Sequence, residues 1–396
     1  MIEDLSHKRL VQNCSLLKQL FFVGVNLSSI DPNSLMNLSS SLTDLRFIYC
    51  QLQGKFSSGI LYLSHLRILD LSYNDRLNIH LPKSNWSSPL QELHFDFVHF
   101  TGELSESIGD LNSLKKLTIR ECNFSGSIPA WIGNLLQLTH FQGEYNNFNG
   151  RIPSSLTNLS KLEVLLLYNN KLVGLVPNFS NLSNLGTLDL SWNSLNGTIQ
   201  SVLYNLPSSL HSLYLSDNQF TGPINEFQSQ SLEDLRLGGN KLNGFVPSSI
   251  FNLVNLRLLD LSSSSFSGTL DGSMFSKLKN LQVLSLSDND ISFTTNTFPN
   301  NLLSNNNLTG EIPSWICNTR MRFLDLSNNS FSGTIPPCFR SISQGLSVLN
   351  LRNNKFSGKI PDIFDEGCRL LSLNLNDNQL KGPLPRSLVN CKVWNF

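Results

Sequence analysis

The chain has 396 residues, with 29 basic and 29 acidic residues and an apolar content of 40%. A net charge of zero argues against nucleic-acid binding, which needs concentrated basic charge. The sequence has no run of 18 or more apolar residues, so it predicts no membrane-spanning helix. Its first twenty residues lack a basic segment followed by an apolar one, so we expect no signal peptide there.

A repeated nine-residue pattern, L-x-x-L-x-L-x-x-N, predicts the architecture. It occurs, for example, at 66–74, 185–193 and 321–329, and sixteen copies recur at steps that are mostly 22 to 25 residues. Such spacing is typical of leucine-rich repeats. We call the last position of each copy the slot. The slots are Val25, Cys50, Asn74, Val98, Cys122, Asn146, Asn170, Asn193, Asn218, Asn240, Ser264, Asn289, Asn306, Asn329, Asn354 and Asn378.

The leucines of each copy are expected to point inward and to stack on those of the next coil. We predict an α/β solenoid, a right-handed leucine-rich-repeat superhelix of about 16 coils with one long parallel sheet on its concave side. A slot Asn can bond backbone groups of the turn and of the neighbouring coil. Cys50 and Cys122 are weaker donors that still fit, whereas Val25 and Val98 predict coils that are weaker or repaired by water.

Most slots are followed by x-L-x-G-x-I-P, as at 123–129 and 171–177. The Gly permits a positive φ and the Pro fixes an extended backbone. The spacing divides the chain into repeats 1 to 12 over 1–290, an irregular join or shortened repeat over 291–307, and further repeats over 308–396. The join follows from the slots Asn289 and Asn306, which lie closer together than any other neighbouring pair. We expect a degenerate strand at 301–306.

The full pattern over residues 10–392 resembles the plant-specific class of extracellular leucine-rich repeats, in particular the ectodomains of plant receptor-like proteins of the Cf disease-resistance type. The resemblance implies a non-catalytic recognition ectodomain of an immune or developmental receptor, on the extracellular side of the plasma membrane. It also implies a peptide or protein ligand and a leucine-rich-repeat co-receptor kinase. Such receptors carry a signal peptide, caps and a membrane helix, so we expect a chain truncated at both ends.

Two alternative functions stay open at this point. One is a secreted inhibitor of a cell-wall-degrading enzyme, similar to the polygalacturonase inhibitors, which use the same repeat. The other is a non-functional truncated gene product.

Aromatic and charged residues gather at the outward positions of repeats two to eight, where later repeats mostly carry Asp, Asn, Gly or Ser. Accessible aromatic residues with interspersed charge are typical of protein-recognition hot spots. The alternative is that these side chains pack on one another and stabilise the sheet edge. The predicted ligand-binding residues are Tyr49, Tyr73, His94, Asp96, Phe97, Arg120, Glu144, Tyr145, Tyr168 and Trp192.

The pair His94 and Asp96 would project from one face of a strand, as metal ligands do. A metal needs further ligands from neighbouring strands, and although Asp70 is adjacent, Arg120 opposes a cation. We therefore predict no metal and no cofactor. The sequence contains no G-x-S-x-G, phosphate loop or H-E-x-x-H motif, so we predict that the chain is not an enzyme.

The cysteines and sequons add two further predictions. Cys368 and Cys391 lie at nearly the same distance past the slots of two successive coils, which predicts a disulfide. The pair Cys317 and Cys338 is a looser candidate. Eleven N-x-S/T sequons occur, and the predicted glycosylation sites include Asn85, Asn158, Asn181 and Asn328.

Overall fold

The computed structural model describes residues 16–32, 40–56, 58–81, 86, 88–293, 309–312, 316–317 and 320–391. The chain divides into two units, Met1–Leu195 and Asn196–Phe396. Each unit is a stack of short parallel strands joined by turns and single helical turns, as the leucine-rich repeat predicts. The described part of the chain contains no helix that is both long and apolar enough to cross a membrane.

The main sheet of the first unit is formed by the L-x-L segments, which pair in parallel with the leucines in register. Leu69 lies opposite Leu93, and Leu93 lies opposite Leu117. All three are fully buried, so the predicted inward position of the leucines is confirmed. In order of pairing, the strands are β1 (Gln19–Val23), β2 (Asp44–Ile48), β4 (Ile68–Asp70), β6 (Glu92–His94), β7 (Lys116–Thr118), β9 (His140–Gln142), β11 (Val164–Leu166) and β13 (Thr187–Asp189).

The main sheet of the second unit repeats this arrangement. Its parallel pairing again places leucine opposite leucine, as Leu235 and Leu259 show. In order of pairing, its strands are β15 (Ser212–Tyr214), β17 (Asp234–Arg236), β19 (Leu258–Asp260), β21 (Val283–Ser285), β24 (Phe323–Asp325), β26 (Val348–Asn350) and β28 (Ser372–Asn374).

The predicted coil with its slot at Asn306 falls on residues outside those that the structure describes. β21 pairs directly with β24, with Leu284 opposite Leu324, so the described residues supply fifteen main-sheet strands against the sixteen coils predicted. Residues 301–306 themselves lie outside the described residues.

A second row of strands follows the slots. In the first unit, β3 (Gln53–Phe56) pairs with β5 (Arg76–Ile79). Four further strands pair in chain order: β8 (Ser125–Ser127), β10 (Asn147–Gly150), β12 (Lys171–Gly174) and β14 (Ser194–Thr198). The last of them runs past the end of that unit. The second unit has β16 (Gln219–Gly222), β18 (Lys241–Phe245), β20 (Ser265–Leu270) and β22 (Asp290–Phe293) in order, then the pairs β23 (Thr309–Gly310) with β25 (Ser330–Phe331) and β27 (Ser357–Gly358) with β29 (Gln379–Leu380).

Short helical turns return the chain to the main sheet. Two are α-helical, α1 (Ile199–Tyr204) and α2 (Phe339–Ile342). The described 3-10 turns are Ser58–Tyr62, Glu106–Asp110, Ala130–Asn134, Ser154–Asn158, Ser248–Asn252, Gly272–Lys277 and Arg386–Asn390.

The slot asparagines close the turn of the preceding coil. The Oδ1 atom of Asn146 accepts the backbone N–H groups of Cys122 and Phe124 at 3.2 and 3.0 Å. Its Nδ2 atom donates to the carbonyl of Ile119 at 2.7 Å and to two carbonyls of its own coil at 3.1 Å. One buried amide therefore forms hydrogen bonds with five backbone groups of two neighbouring coils.

The cysteine slots divide this role between two groups. The thiol of Cys122 donates to the carbonyl of Phe95 at 2.9 Å. The acceptor role passes to the backbone carbonyl of Cys122, which takes the N–H of Phe100 at 2.9 Å. The thiol of Cys50 likewise donates to the carbonyl of Phe22 at 3.3 Å. The prediction that cysteine fits the slot is confirmed.

The Val98 slot has no polar side chain, and the preceding turn closes on itself. The N–H of Leu77 donates to the carbonyl of Asn74 at 3.0 Å. At this coil the backbone itself therefore closes the turn, where the sequence predicted a weaker coil or a repair by water.

The structure joins Cys368 to Cys391, with their Cα atoms 4.8 Å apart, inside the range expected for a disulfide. It also joins Cys317 to Cys338, with Cα atoms 5.6 Å apart. Both bonds link neighbouring coils of the second unit.

The structure describes three of the four predicted glycosylation sites. The side chains of Asn158, Asn181 and Asn328 are exposed, as attachment of a glycan requires. Asn85 lies outside the described residues. Glycosylation at all four stays a prediction.

Candidate functional site

The residue before each slot has a left-handed backbone, with φ between 48° and 68° in the described coils. We call these residues the pre-slot column. Glycine, asparagine and aspartate tolerate this conformation best, whereas a bulky residue costs about 1–2 kcal/mol. The second unit mostly carries the tolerant types, but the first unit carries Tyr49, Tyr73, Phe97, Tyr145 and Trp192. Costly backbone conformations of this kind concentrate at functional sites.

The aromatic side chains of the pre-slot column are accessible. Tyr49 and Trp192 are 65% and 61% exposed, and Tyr73 and Tyr145 are 43% and 41% exposed. Phe97 is half-buried. These side chains lie outside the core, which the leucines fill, so they are free to contact a ligand.

Neighbouring coils of the first unit build a continuous row of rings around one arginine. Tyr73 stacks on Phe97, with ring centroids 4.6 Å apart and planes 18° apart. The guanidinium carbon of Arg120 lies 5.3 Å from the Phe97 centroid and 5.6 Å from that of Tyr145. Tyr145 meets Tyr168 edge-on at 5.1 Å. We call these five residues the aromatic–arginine row. The mutual packing predicted as an alternative is present, and the outer surface of the row is still open to a ligand.

Two carboxylates lie beneath the aromatic–arginine row. Glu144 is a predicted ligand-binding residue, yet its side chain is only 4% exposed, because it is packed beside Arg120 and Tyr168. Its Oε1 atom lies 3.8 Å from Nε of Arg120. Burial raises the pKa of Glu144 to about 7, and a hydrogen bond to its own backbone and the nearby Arg120 lower that pKa by smaller amounts. Asp96 accepts the backbone N–H of Arg120 at 2.9 Å, and burial raises the pKa of Asp96.

His94 is held by neighbouring side chains. Its Nδ1 atom lies 3.0 Å from Oγ1 of Thr118, and its Nε2 atom lies 3.3 Å from a carboxylate oxygen of Glu92. Lys116 pairs with the other oxygen of Glu92 at 3.2 Å. The described residues contain no group of three or more His, Cys, Asp or Glu side chains arranged to hold a metal ion.

Tyr49 and Trp192 stand at the two ends of the predicted site. Tyr49 lines a groove of about 530 Å³ together with Tyr73 and Phe97. The other lining residues are absent from the predicted set; they are Ser28, Gln51, Gln53, Asp75 and Arg76. The spacing of the sequence did carry a sign of this groove. The first buried residue after the slot Asn146 is Phe148, two positions later, whereas after the slot Asn74 it is Leu77, three positions later.

Stability should depend on the ionisation of Glu144. Its pKa of about 7 lies above the usual 4.5, so the folded state holds this proton more tightly than the unfolded state. The stabilisation is complete below pH 4.5 and is lost as the pH rises through 7, by on the order of 3 kcal/mol. Glu144→Gln removes this dependence. Urea unfolding at pH 5 and pH 8 should show the variant gaining stability relative to the original chain at pH 8. An unchanged difference between the two proteins contradicts the assignment.

Comparison with known families agrees with this architecture. A family profile described as a leucine-rich repeat region matches residues 63–302. A shorter leucine-rich repeat profile matches 301–319, 320–342, 345–366 and 369–391. The chain belongs to the leucine-rich repeat family. Neither profile describes an enzyme family.

Within that family, the chain is similar to plant receptor-like proteins. Receptor-like protein 35 of Arabidopsis thaliana is 36% identical over 157 residues, which are 35% of this chain and 16% of that protein. The receptor-like protein Cf-9 homolog of Solanum lycopersicum is 36% identical over 107 residues, 26% of this chain and 12% of that protein. Receptor-like protein 30 of Arabidopsis thaliana is 54% identical over 79 residues, 20% of this chain and 10% of that protein. The matched segments thus span less than a fifth of the length of these relatives.

Solved structures with the same fold include plant receptors with bound peptides. The plant peptide hormone receptor RGFR1 in complex with RGF2 has a TM-score of 0.66 and 26% identity, and the match covers 96% of this chain and 66% of that one. The ectodomain of the Arabidopsis receptor kinase HAESA, in complex with an IDA peptide hormone, has a TM-score of 0.65 and 27% identity, covering 96% and 72%.

Proposed function

We propose that this chain is part of the ligand-recognition ectodomain of a plant cell-surface receptor-like protein, on the extracellular side of the plasma membrane. Its ligand is a peptide or a protein, bound along the open face of the main sheet of the first unit. The relatives are named as receptors or receptor-like proteins, which favours this function over a secreted inhibitor of a cell-wall-degrading enzyme.

The observation that carries the proposal is the aromatic–arginine row. Tyrosine, tryptophan and arginine dominate the binding energy of protein interfaces. An aromatic side chain supplies a large contact area while losing the freedom of only two dihedral angles. Arg120 is already placed between Phe97 and Tyr145, so less side-chain entropy is lost when a ligand binds. The strands beneath are short, parallel and packed on buried leucines, which gives the row a rigid support.

Signalling in this proposal belongs to a second protein. The sequence contains no phosphate loop, G-x-S-x-G or H-E-x-x-H motif that would supply catalysis. By its resemblance to receptor-like proteins, the ectodomain passes the signal to a leucine-rich-repeat co-receptor kinase that assembles with it when ligand binds.

The proposal can be tested by selecting a ligand and mapping its footprint. The tagged chain is incubated with peptides from plant extracellular fluid, and retained peptides are identified by mass spectrometry, synthesised and titrated by calorimetry. We expect a peptide that binds with a Kd in the micromolar range or tighter. Hydrogen exchange with that peptide bound should show new protection in β6, β7 and β9. Protection confined to the second unit, or a failure of every synthesised peptide to bind, contradicts the proposal.

A further inference from the structure

One wall of the groove beside Tyr49 and Tyr73 is formed by an extra residue. In a regular coil, the outer strand includes the residue just after the slot. That residue pairs with a residue of the preceding coil that lies three positions after its own slot, as Asn147 pairs with Ser125. In the third coil Gln53 pairs instead with Arg76, which is two residues after its slot. Asp75 is therefore inserted between the slot and the strand.

The slot of the following coil is compatible with the insertion. A slot asparagine accepts N–H groups of the preceding turn and holds it in the regular shape, as Asn146 does for the turn at Cys122. Val98 offers no acceptor. The turn in the third coil is therefore free to admit Asp75 and to close through its own backbone.

The polar wall of the groove has unused hydrogen-bonding groups. Gln51, Asp75 and Arg76 are exposed, and their side chains make no hydrogen bond or ion pair within the described residues. Gln53 is anchored to the carbonyl of Ser28 at 2.8 Å. A carboxylate, a guanidinium and an amide are thus presented together, with both donors and acceptors free.

The opposite wall is aromatic. Phe97 stacks on one face of Tyr73, and both rings line the groove together with Tyr49. Tyr49 is largely exposed. The groove therefore has ring faces on one side and planar polar groups on the other. Its volume of about 530 Å³ lies in the range of small-ligand sites, roughly 300–1,000 Å³.

We propose that this groove binds a neutral oligosaccharide of flat, β-1,4-linked pyranose units. Such a sugar has an apolar C–H face, which packs on an aromatic ring, and a rim of hydroxyl groups that donate and accept hydrogen bonds. The two walls match these two surfaces. Asp75 and Arg76 carry opposite charges, so the groove has no net charge with which to attract a polyanion. The remaining lining residues Ser28, Gln51 and Gln53 are polar and uncharged, which suits hydroxyl groups.

The oligosaccharide site does not rest on the proposed function, because it is argued from the lining of the groove; the two proposed surfaces share Tyr73 and Phe97. Calorimetric titration of the whole chain with cellotetraose and with chitotetraose should show binding of at least one of them. The double variant Asp75→Ala with Arg76→Ala should weaken that binding roughly tenfold or more, and so should Tyr73→Ala. Lys171→Ala is the matched control, because Lys171 is exposed just after a slot on a coil outside the groove. It should bind the sugar as the original chain does.

Three outcomes overturn the oligosaccharide site. One is the absence of binding heat with both sugars at concentrations up to about 10 mM, which would detect even a Kd of about 1 mM. Another is unchanged binding by the double variant, whose melting temperature shows that it is folded. The third is tighter binding of tetragalacturonate, which would make the ligand an anion. None of these results bears on the peptide footprint, so the failure of either proposal is recognisable by itself.

Discussion

Replacing Asn146 by alanine should lower the free energy of unfolding by about 4 kcal/mol, because alanine replaces none of the five backbone bonds that the side chain makes at 2.7 to 3.2 Å. The carbonyls of Gly143 and Glu144 keep a second donor, the amide of Asn170 and the N–H of Glu121, so three backbone groups lose their partner. Each buried group left unpaired costs about 1–3 kcal/mol, and water entering the site recovers part of the total. Urea unfolding followed by circular dichroism measures the loss.

The slot series gives the Asn146 prediction its controls. Asn146→Cys should lose about half as much, because a thiol donates to the same kind of carbonyl at Cys50 and Cys122. Asn149→Ala removes an exposed amide from the same coil and should change stability by less than about 0.5 kcal/mol. A loss of less than about 1 kcal/mol for the alanine variant would contradict the role assigned to the hydrogen bonds of the amide. A cysteine variant that loses as much as the alanine variant would contradict the donor role assigned to the thiol.

Replacing four aromatic residues of the pre-slot column by asparagine should weaken peptide binding about 1,000-fold, or about 4 kcal/mol. The four residues are Tyr73, Phe97, Tyr145 and Trp192. Stability should not fall, since asparagine adopts the left-handed backbone at a cost about 1 kcal/mol lower than an aromatic residue at each position. The lost stacking of Tyr73 on Phe97 offsets part of this gain. The measurements are titration with the selected peptide and urea unfolding.

Matched replacements at the same backbone position test whether the effect is specific. Asp217 and Asp288 occupy the pre-slot column in the second unit with φ of 55°. Changing both to asparagine should leave peptide binding as it is. If the fourfold variant binds normally but unfolds more easily, the aromatic column is a packing element and the ligand site lies elsewhere.

The sequence was sufficient to predict which residues form the core, because that prediction depends on a repeat. Leu69, Leu93 and Leu117 occupy equivalent positions, so one inward leucine places all the others. The same periodicity placed Tyr73 and Phe97 outside the core. The direct pairing of β21 with β24 could not be assigned in the same way, because the spacing before Asn306 breaks the repeat.

Contacts between side chains of neighbouring coils could not be predicted from the pattern. Alternation says that Glu144 points away from the leucines, but it does not say that Arg120 and Tyr168 will cover that carboxylate. The groove depends on a pairing register that differs in the third coil, where Gln53 lies opposite Arg76. Both features arise from departures from the consensus, whose effect is set by the particular neighbours on the next coil.

The slot hydrogen bonds run in one direction along the chain, and this bears on how such proteins change in length. Asn146 completes the coil before it, and Asn170 in turn accepts the N–H of Phe148 and donates to the carbonyl of Gly143. The partners of each slot amide are backbone groups, and most of the described coils offer them in the same geometry. When one whole coil is duplicated or deleted, the two coils that become neighbours can therefore still form all the slot hydrogen bonds between them. A partial deletion instead removes the closure of the preceding coil, so repeat number should evolve in steps of complete coils.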